Sequence, residues 1–386
     1  MAAILQQIED KDQDMMFTQG DEQRPVQMSR QNSTAYCYTV LPEADTVLPE
    51  ADTVLPEADT VLPEVDTVLP EADTVLPEAD TVLTEANTVL PEADTVLPKH
   101  TVQITSALKQ MCKGQDQSFQ GKFKDQETGE EGVWGMISDG HGSNSCINFL
   151  RDIKQDTLND IVSTTRPVEN LAGLINASRS IGFGESSGAT MCLVKVYTDR
   201  LVCINCGDSQ AAVYKNGILE FLSMEHTTSN PSERARLERD FPGIRYPLSS
   251  NIQIINPDSL VGIKSTYTQW PNGTMLAPTQ ALGHRGVTGY APDKTAIPYR
   301  PGDTIQVVIG SDGLWDMVLK DRAEEMAWFA DKSSEEIAEF ARARWMQEWN
   351  MAPSVPEGQE HAFVKCSYKE TDADDIGVVK IDVIPV

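Results

Sequence analysis

Three segments of the chain place an aspartate at the end of a β-rich run, with glycine or a second acid beside it. They are GVWGMISDGHG around Asp139, TIQVVIGSDGLWD around Asp312 and TDADDIGVVKIDV around Asp374. A strand is stiff, so a carboxylate at its end is held in place, and a neighbouring glycine lets backbone carbonyls come close to an ion. Several such aspartates converging would make an all-oxygen site, suited to Mg²⁺ or Mn²⁺ rather than Zn²⁺. One Asp-Gly pair alone is only a turn signal, so order and context decide.

That context is GQDQ at 114–117, DGHG at 139–142, ESSGAT at 185–190 and INCGDSQAAV at 204–213. It continues with EHT at 225–227, TQALGH at 279–284, SDGLWD at 311–316 and DADDI at 372–376. In this order and spacing the sequence resembles the protein phosphatase 2C family of metal-dependent serine/threonine phosphatases over residues 101–386. The resemblance implies two packed, mainly antiparallel β-sheets flanked by helices, an αββα sandwich with its metals at one end. It implies that Asp139 bridges two Mg²⁺ or Mn²⁺ ions and that the Gly140 carbonyl binds one of them. Asp312 and Asp374 complete that ligand set, and Glu185 falls near a third, weaker site. Asp116 would orient water for in-line attack on phosphorus, and His141 would act as general acid for the departing seryl or threonyl oxygen. Phosphorylated proteins are the implied substrates, and no cysteine nucleophile is needed.

Three positions depart from the family pattern. Met111 stands where the family carries an arginine that clamps the substrate phosphate, leaving Lys113 as the nearby candidate for that contact. TQALGH replaces an arginine with Gln280 and an aspartate with His284, and the second acid of Asp374-Asp375 replaces an asparagine. A catalytically weak or inactive relative that uses the fold as a binding module is the second reading; the intact carboxylate set favours the enzyme.

The elements that must position these groups can be read from hydrophobic periodicity. VQITSAL, GVWGMIS, ATMCLVKVY, RLVCINC, AAVYKNG, TIQVVIGS and DIGVVKIDVI read as strands. One helix is expected after DGHG, through Ile147, Leu150, Ile153, Leu158 and Ile161. Another starts at Ser333 with Glu336 as a capping box, with Ile337, Phe340, Ala341, Trp345 and Trp349 on its apolar face. Hairpin-like strand pairs before and after the helices favour an α+β class over a regular βαβ array. Cys203 and Cys206 form a CxxC, but three residues apart on a strand they face opposite sides, which suits buried structural cysteines better than zinc. His226 and His284 read as structural groups, and Asp208 as a turn residue.

The chain has 386 residues and a formal net charge of −28. That balance argues against nucleic acid and anionic membrane surfaces as partners. No run of about 18 apolar residues suggests a spanning helix. The start MAAILQQIEDKDQD lacks the features of a secretory signal, and Met-Ala does not suit N-myristoylation. Seven cysteines, an odd count, do not form a disulfide framework, so a reducing cytoplasmic or nuclear setting and a monomer are expected. Residues 39–94 are eight copies of T-V-L-P-E-A-D with a broken ninth at 95–100, and seven of the eight carry proline. Proline at that frequency excludes a coiled coil and favours an extended chain. The domains read as a polar segment over 1–38, an acidic repeat linker over 39–100 that offers a surface for an unknown partner, and the catalytic domain over 101–386.

Because prolines and carboxylates bury almost no apolar surface, deleting residues 1–98 is expected to leave melting temperature and turnover nearly unchanged. A large drop in either would place the repeat against the domain.

Overall fold

The computed structural model describes residues 100–386 apart from residue 112 and residues 179–186, 250–251, 257–260, 264–265 and 354–363. The N-terminal segment, the repeat and Glu185 lie outside the described residues.

Twelve strands form two main sheets. In chain order they are β1 (His100–Lys109), β2 (Asp116–Lys124), β3 (Glu131–Gly142), β4 (Ser187–Ala189), β5 (Met191–Val196) and β6 (Arg200–Cys206). There follow β7 (Gln210–Lys215), β8 (Ile218–Leu222), β9 (Leu282–Gly283), β10 (Asp293–Pro298), β11 (Ile305–Gly310) and β12 (Ile376–Pro385). The first sheet has the order β1-β12-β11-β7-β8. The second runs β9-β4-β3-β5-β6-β10, with β2 also paired to β3. Every pairing in both is antiparallel. Short strands within 245–276 and 348–367 add two small sheets.

The period of two along the strands sorts side chains between layers. On β12, Val379, Ile381 and Val383 join Ile137 and Val194 of the second sheet in a core between the sheets. Ile376 and Val378 face the other way, towards helices α5 (Asp312–Trp315), α6 (Ala323–Trp328) and α7 (Ser334–Trp345). On β3, Ile137 enters the core between the sheets. Trp134 and Met136 instead pack under α1 (Ser145–Asp152), α2 (Gln155–Val162) and α3 (Pro167–Ala177). The result is helix, sheet, sheet, helix, the expected α+β sandwich. Cys203 lies in the core between the sheets and Cys206 in the layer under α1–α3, on opposite faces of one strand. No helix among the described residues is long and apolar enough to cross a membrane.

Two helical expectations change. The helix after DGHG is two helices, broken at Ile153 and Lys154, whose ψ angles of 130° and 141° are extended. The step from Ile153 to Leu158 is five residues, longer than the three or four that keep one helical stripe in phase. Two short helices restore the phase on each side. The Ser333 capping box is present in full, yet α7 ends at Trp345. Trp349 sits in the strand Glu348–Pro353, its Nε1 donating to the Trp345 carbonyl at 3.2 Å.

Trp134 is wholly buried, and its Nε1 donates to Asn159 Oδ1 at 3.1 Å, tying β3 to α2. Trp134→Ala opens a cavity and removes that bond, leaving Asn159 Oδ1 only its contact from Gln155 Nε2 at 3.1 Å, so it should cost about 3–5 kcal/mol, read as a lower denaturant midpoint.

Candidate metal centre and active site

Strand pairing puts the first two carboxylates together: β2 and β3 are antiparallel with Asp116 directly opposite Asp139. The neighbouring strands β11 and β12 bring Asp312, just after β11, and Asp374, just before β12, to the same end. Ser311 links the two sheets there, its hydroxyl donating to Asp116 Oδ2 at 2.6 Å and accepting from the Gly377 amide at 2.9 Å. Thr190, where the expected strand ATMCLVKVY is interrupted, brackets Asp139: its hydroxyl accepts the Asp139 amide at 3.0 Å, and its amide donates to the Asp139 carbonyl at 2.8 Å. Gly140 pairs with Ala189 across β3 and β4.

A further carboxylate joins them. Carboxylate oxygens of Asp139, Asp208 and Asp312 lie within 4.8 Å of one another. The sequence signal for Asp208 was present in INCGDS, where a strand again ends in glycine and aspartate, in reversed order. His226 braces that turn, its Nδ1 accepting the Gly207 amide at 3.1 Å and its own amide donating to the Gly207 carbonyl at 3.0 Å.

These carboxyls are electrostatically crowded. Burial pushes Asp116, Asp139, Asp208, Asp316 and Asp374 above the usual carboxylate range, Asp374 to about 7, and neighbouring carboxylates add to the rise. Burial also raises Asp312, opposed by hydrogen bonding with Asp139 and the Gly313 amide and by the charge of Lys113. Two like charges about 4 Å apart repel by roughly 4 kcal/mol even at an effective dielectric of about 20. Asp116 Oδ1 and Asp312 Oδ1 are buried without hydrogen-bond partners. An oxygen-only, anionic set with unpartnered lone pairs fits hard divalent cations.

The departures from the family pattern have visible roles. Asp375 cradles the loop before β2: its Oδ1 accepts the amides of Met111 at 2.7 Å and Lys113 at 3.3 Å, and its Oδ2 accepts that of Gln115 at 2.7 Å. Asparagine has one acceptor oxygen and could not serve both branches. The Met111 side chain packs against the core under α5–α7. Lys113 lies close enough for its charge to pull down the carboxyls of Asp312 and Asp374 and the imidazole of His141. Gln280 is buried, donating to Glu233 Oε1 at 2.9 Å and accepting the Ala291 amide at 2.8 Å. Burial pushes the Glu233 carboxyl up, but hydrogen bonds from Arg236 and Thr279 outweigh it and hold it low. His141 Nδ1 lies 2.8 Å from His284 Nε2. Burial, with the charges of His284 and Lys113, pushes the His141 imidazole down to about 3, so it is neutral at neutral pH.

A carboxyl raised in the fold favours folding fully below its unfolded value of about 4, and that contribution is lost as pH climbs through the folded value of about 7. In chelator, the melting temperature should therefore fall between about pH 5 and about pH 8, with Mn²⁺ reversing the loss by neutralising the cluster. A curve that stays flat or rises in chelator would contradict the crowding.

Residues 183–348 match the family model described as Protein phosphatase 2C. Among curated relatives, "Probable protein phosphatase 2C 75" of Arabidopsis thaliana is 28% identical over 146 residues, 37% of this chain and 30% of the relative. Human "Protein phosphatase 1B" is 25% identical over 171 residues, 42% of this chain and 28% of that protein. The chain thus spans about a third of the length of the curated relatives it matches. Among solved structures, a serine/threonine phosphatase of S. agalactiae aligns over 73% of this chain and 99% of its own, with 15% identity and a TM-score of 0.44. A C. elegans sex determining protein aligns over 74% of this chain and 64% of its own, with 18% identity and a TM-score of 0.47. The family match falls on the segment that supplies Asp208, His284 and Asp312, three of the groups gathered at the end of the sandwich, so residues 183–348 are similar to protein phosphatase 2C.

Proposed function

We propose that the protein hydrolyses phosphoserine and phosphothreonine in proteins, using divalent cations held by its buried carboxylates. The observation that carries this reading is the convergence of Asp139, Asp208 and Asp312 with partnerless oxygens on Asp116 and Asp312. Asp139, Asp312 and Asp374, with the Gly140 carbonyl, would hold two Mg²⁺ or Mn²⁺ ions, Asp208 joins them, and Glu185 would serve a third, weaker site. Such ions, when bound, supply Lewis acidity and lower the pKa of water towards neutrality.

The chain's own groups do the rest. Asp116, anchored through Oδ2 by Ser311, keeps Oδ1 available to orient the attacking water. Lys113, on the loop cradled by Asp375, offers a cation to the substrate phosphate. His141, neutral at neutral pH, would offer its Nε2–H as a hydrogen bond to the departing seryl or threonyl oxygen as the P–O bond breaks, while the proton given up by the attacking water balances the released alkoxide. The intact carboxylate set is what a pure binding module would have no need to keep.

Turnover of phosphothreonine peptides is expected to require Mn²⁺ or Mg²⁺ and to vanish in chelator. Asp139→Asn and Asp312→Asn should each reduce it about a hundredfold or more, because each removes a charge the cations need. Equal turnover with EDTA and with Mn²⁺ would falsify the mechanism.

A further inference from the structure

His141 and His284 form a pair that the strand order builds deliberately. β3, β4 and β9 are neighbours, and His141, Gly188 and Gly283 share one rung across them. Gly188, at the centre of the rung, has no side chain. A Cβ there would stand 2.3 Å from His284 Cδ2 and Nε2 and 2.7 Å from His141 Cε1. Into that slot the two imidazoles stack, 4.7 Å between centroids and 6° from parallel, with Nδ1 of His141 2.8 Å from Nε2 of His284. The far nitrogen of His141, Nε2, is buried and has no hydrogen-bond partner.

The backbone at His284 is held in an uncommon state. Gly283, His284, Arg285 and Gly286 all have positive φ, at 77°, 45°, 53° and 74°. Among the described residues only Asn216 is a further non-glycine case. A residue with a Cβ persists in that region when its surroundings over-determine it, and such outliers cluster at functional sites.

Resting on the reading of His141 as donor to the leaving oxygen, we propose that His284 is a positioning residue for that donor. Its Nε2–H donates to Nδ1 of His141, which fixes the single ring proton of His141 on Nε2 and holds the ring plane against rotation. This is the logic by which a hydrogen bond at one imidazole nitrogen sets what the other presents.

The test compares a phosphothreonine peptide, whose alkoxide leaves badly, with p-nitrophenyl phosphate, whose leaving group needs no donor. His284→Gly relieves the backbone and removes the ring; His284→Asn tolerates the left-handed backbone and keeps an N–H donor. His284→Gly should lower kcat on the peptide about tenfold, with KM and the aryl ester nearly unchanged, and His284→Asn should recover part of the loss. Added to His141→Ala, it should cost nothing further, since both act through one group. In the metal-free protein, ring ¹⁵N shifts should place the His141 proton on Nε2, and His284→Gly should disperse it between the two nitrogens. Equal losses on both substrates, additive losses, or His141 ring shifts unchanged by His284→Gly would overturn the proposal. If His141→Ala leaves peptide turnover intact, the donor reading of His141 fails first, and the positioning proposal with it. If His141→Ala is selective and His284→Gly is silent, only the positioning role falls. Were the protein to hydrolyse neither substrate, the phosphatase reading would fail and the ring shifts alone would decide whether His284 sets the proton on His141.

Discussion

Repulsion among buried carboxylates is the constraint around which the rest of the structure is arranged. Asp116, Asp139, Asp208, Asp312 and Asp374 are forced together at one end of a sandwich whose interior is apolar, and each is pushed towards its protonated form. A loose scaffold would relieve that repulsion by moving the groups apart. This one resists because the carboxylates sit on or beside strands of the two sheets, locked by Ser311, Thr190 and the layers of packed aliphatic side chains. On the reading proposed above, stability of the sandwich would thereby be converted into affinity for cations.

Much of this was legible in the sequence because two of its regularities are physical. Alternation of period two marked β1, β3, β6, β7, β11 and β12, and an aspartate beside glycine or a second acid at the end of three such runs pointed to a site. Asp208 escaped because its motif reverses the order of glycine and aspartate, and CGDS on its own is indistinguishable from a turn. The break at Ile153 and the placement of Trp349 escaped for a different reason. Apolar residues at roughly helical spacing say which face is buried, but only tertiary packing decides where one element stops. Trp349 is buried under either assignment. The pairing of His141 with His284 had no local signal at all, since 143 positions separate them and the slot depends on a glycine in a third strand.

The cradle at Asp375 shows how a departure from a family pattern can be structural. An acid where an asparagine is usual gathers three amides from a loop some 260 positions earlier, and that loop presents both Lys113 and Asp116. Gly313 is drawn into the same arrangement: a Cβ there would stand 1.9 Å from the Asp375 carbonyl oxygen, so the backbone after Asp312 lies directly on the backbone that carries Asp375. The site is thus bonded through the main chain as much as through its side chains.

β12 lies inside its sheet, between β1 and β11, although it is made after both. During synthesis, then, β1 and β11 each present an unsatisfied edge until β12 emerges, and no earlier stretch can close the first sheet. Until then β11 is held only by β7, and Asp374 has no strand β12 behind it, so the last carboxylate does not join the others before the layers able to bear their repulsion exist. Chain order works here as a timer: the costliest contacts form last, when the most apolar surface is available to offset them.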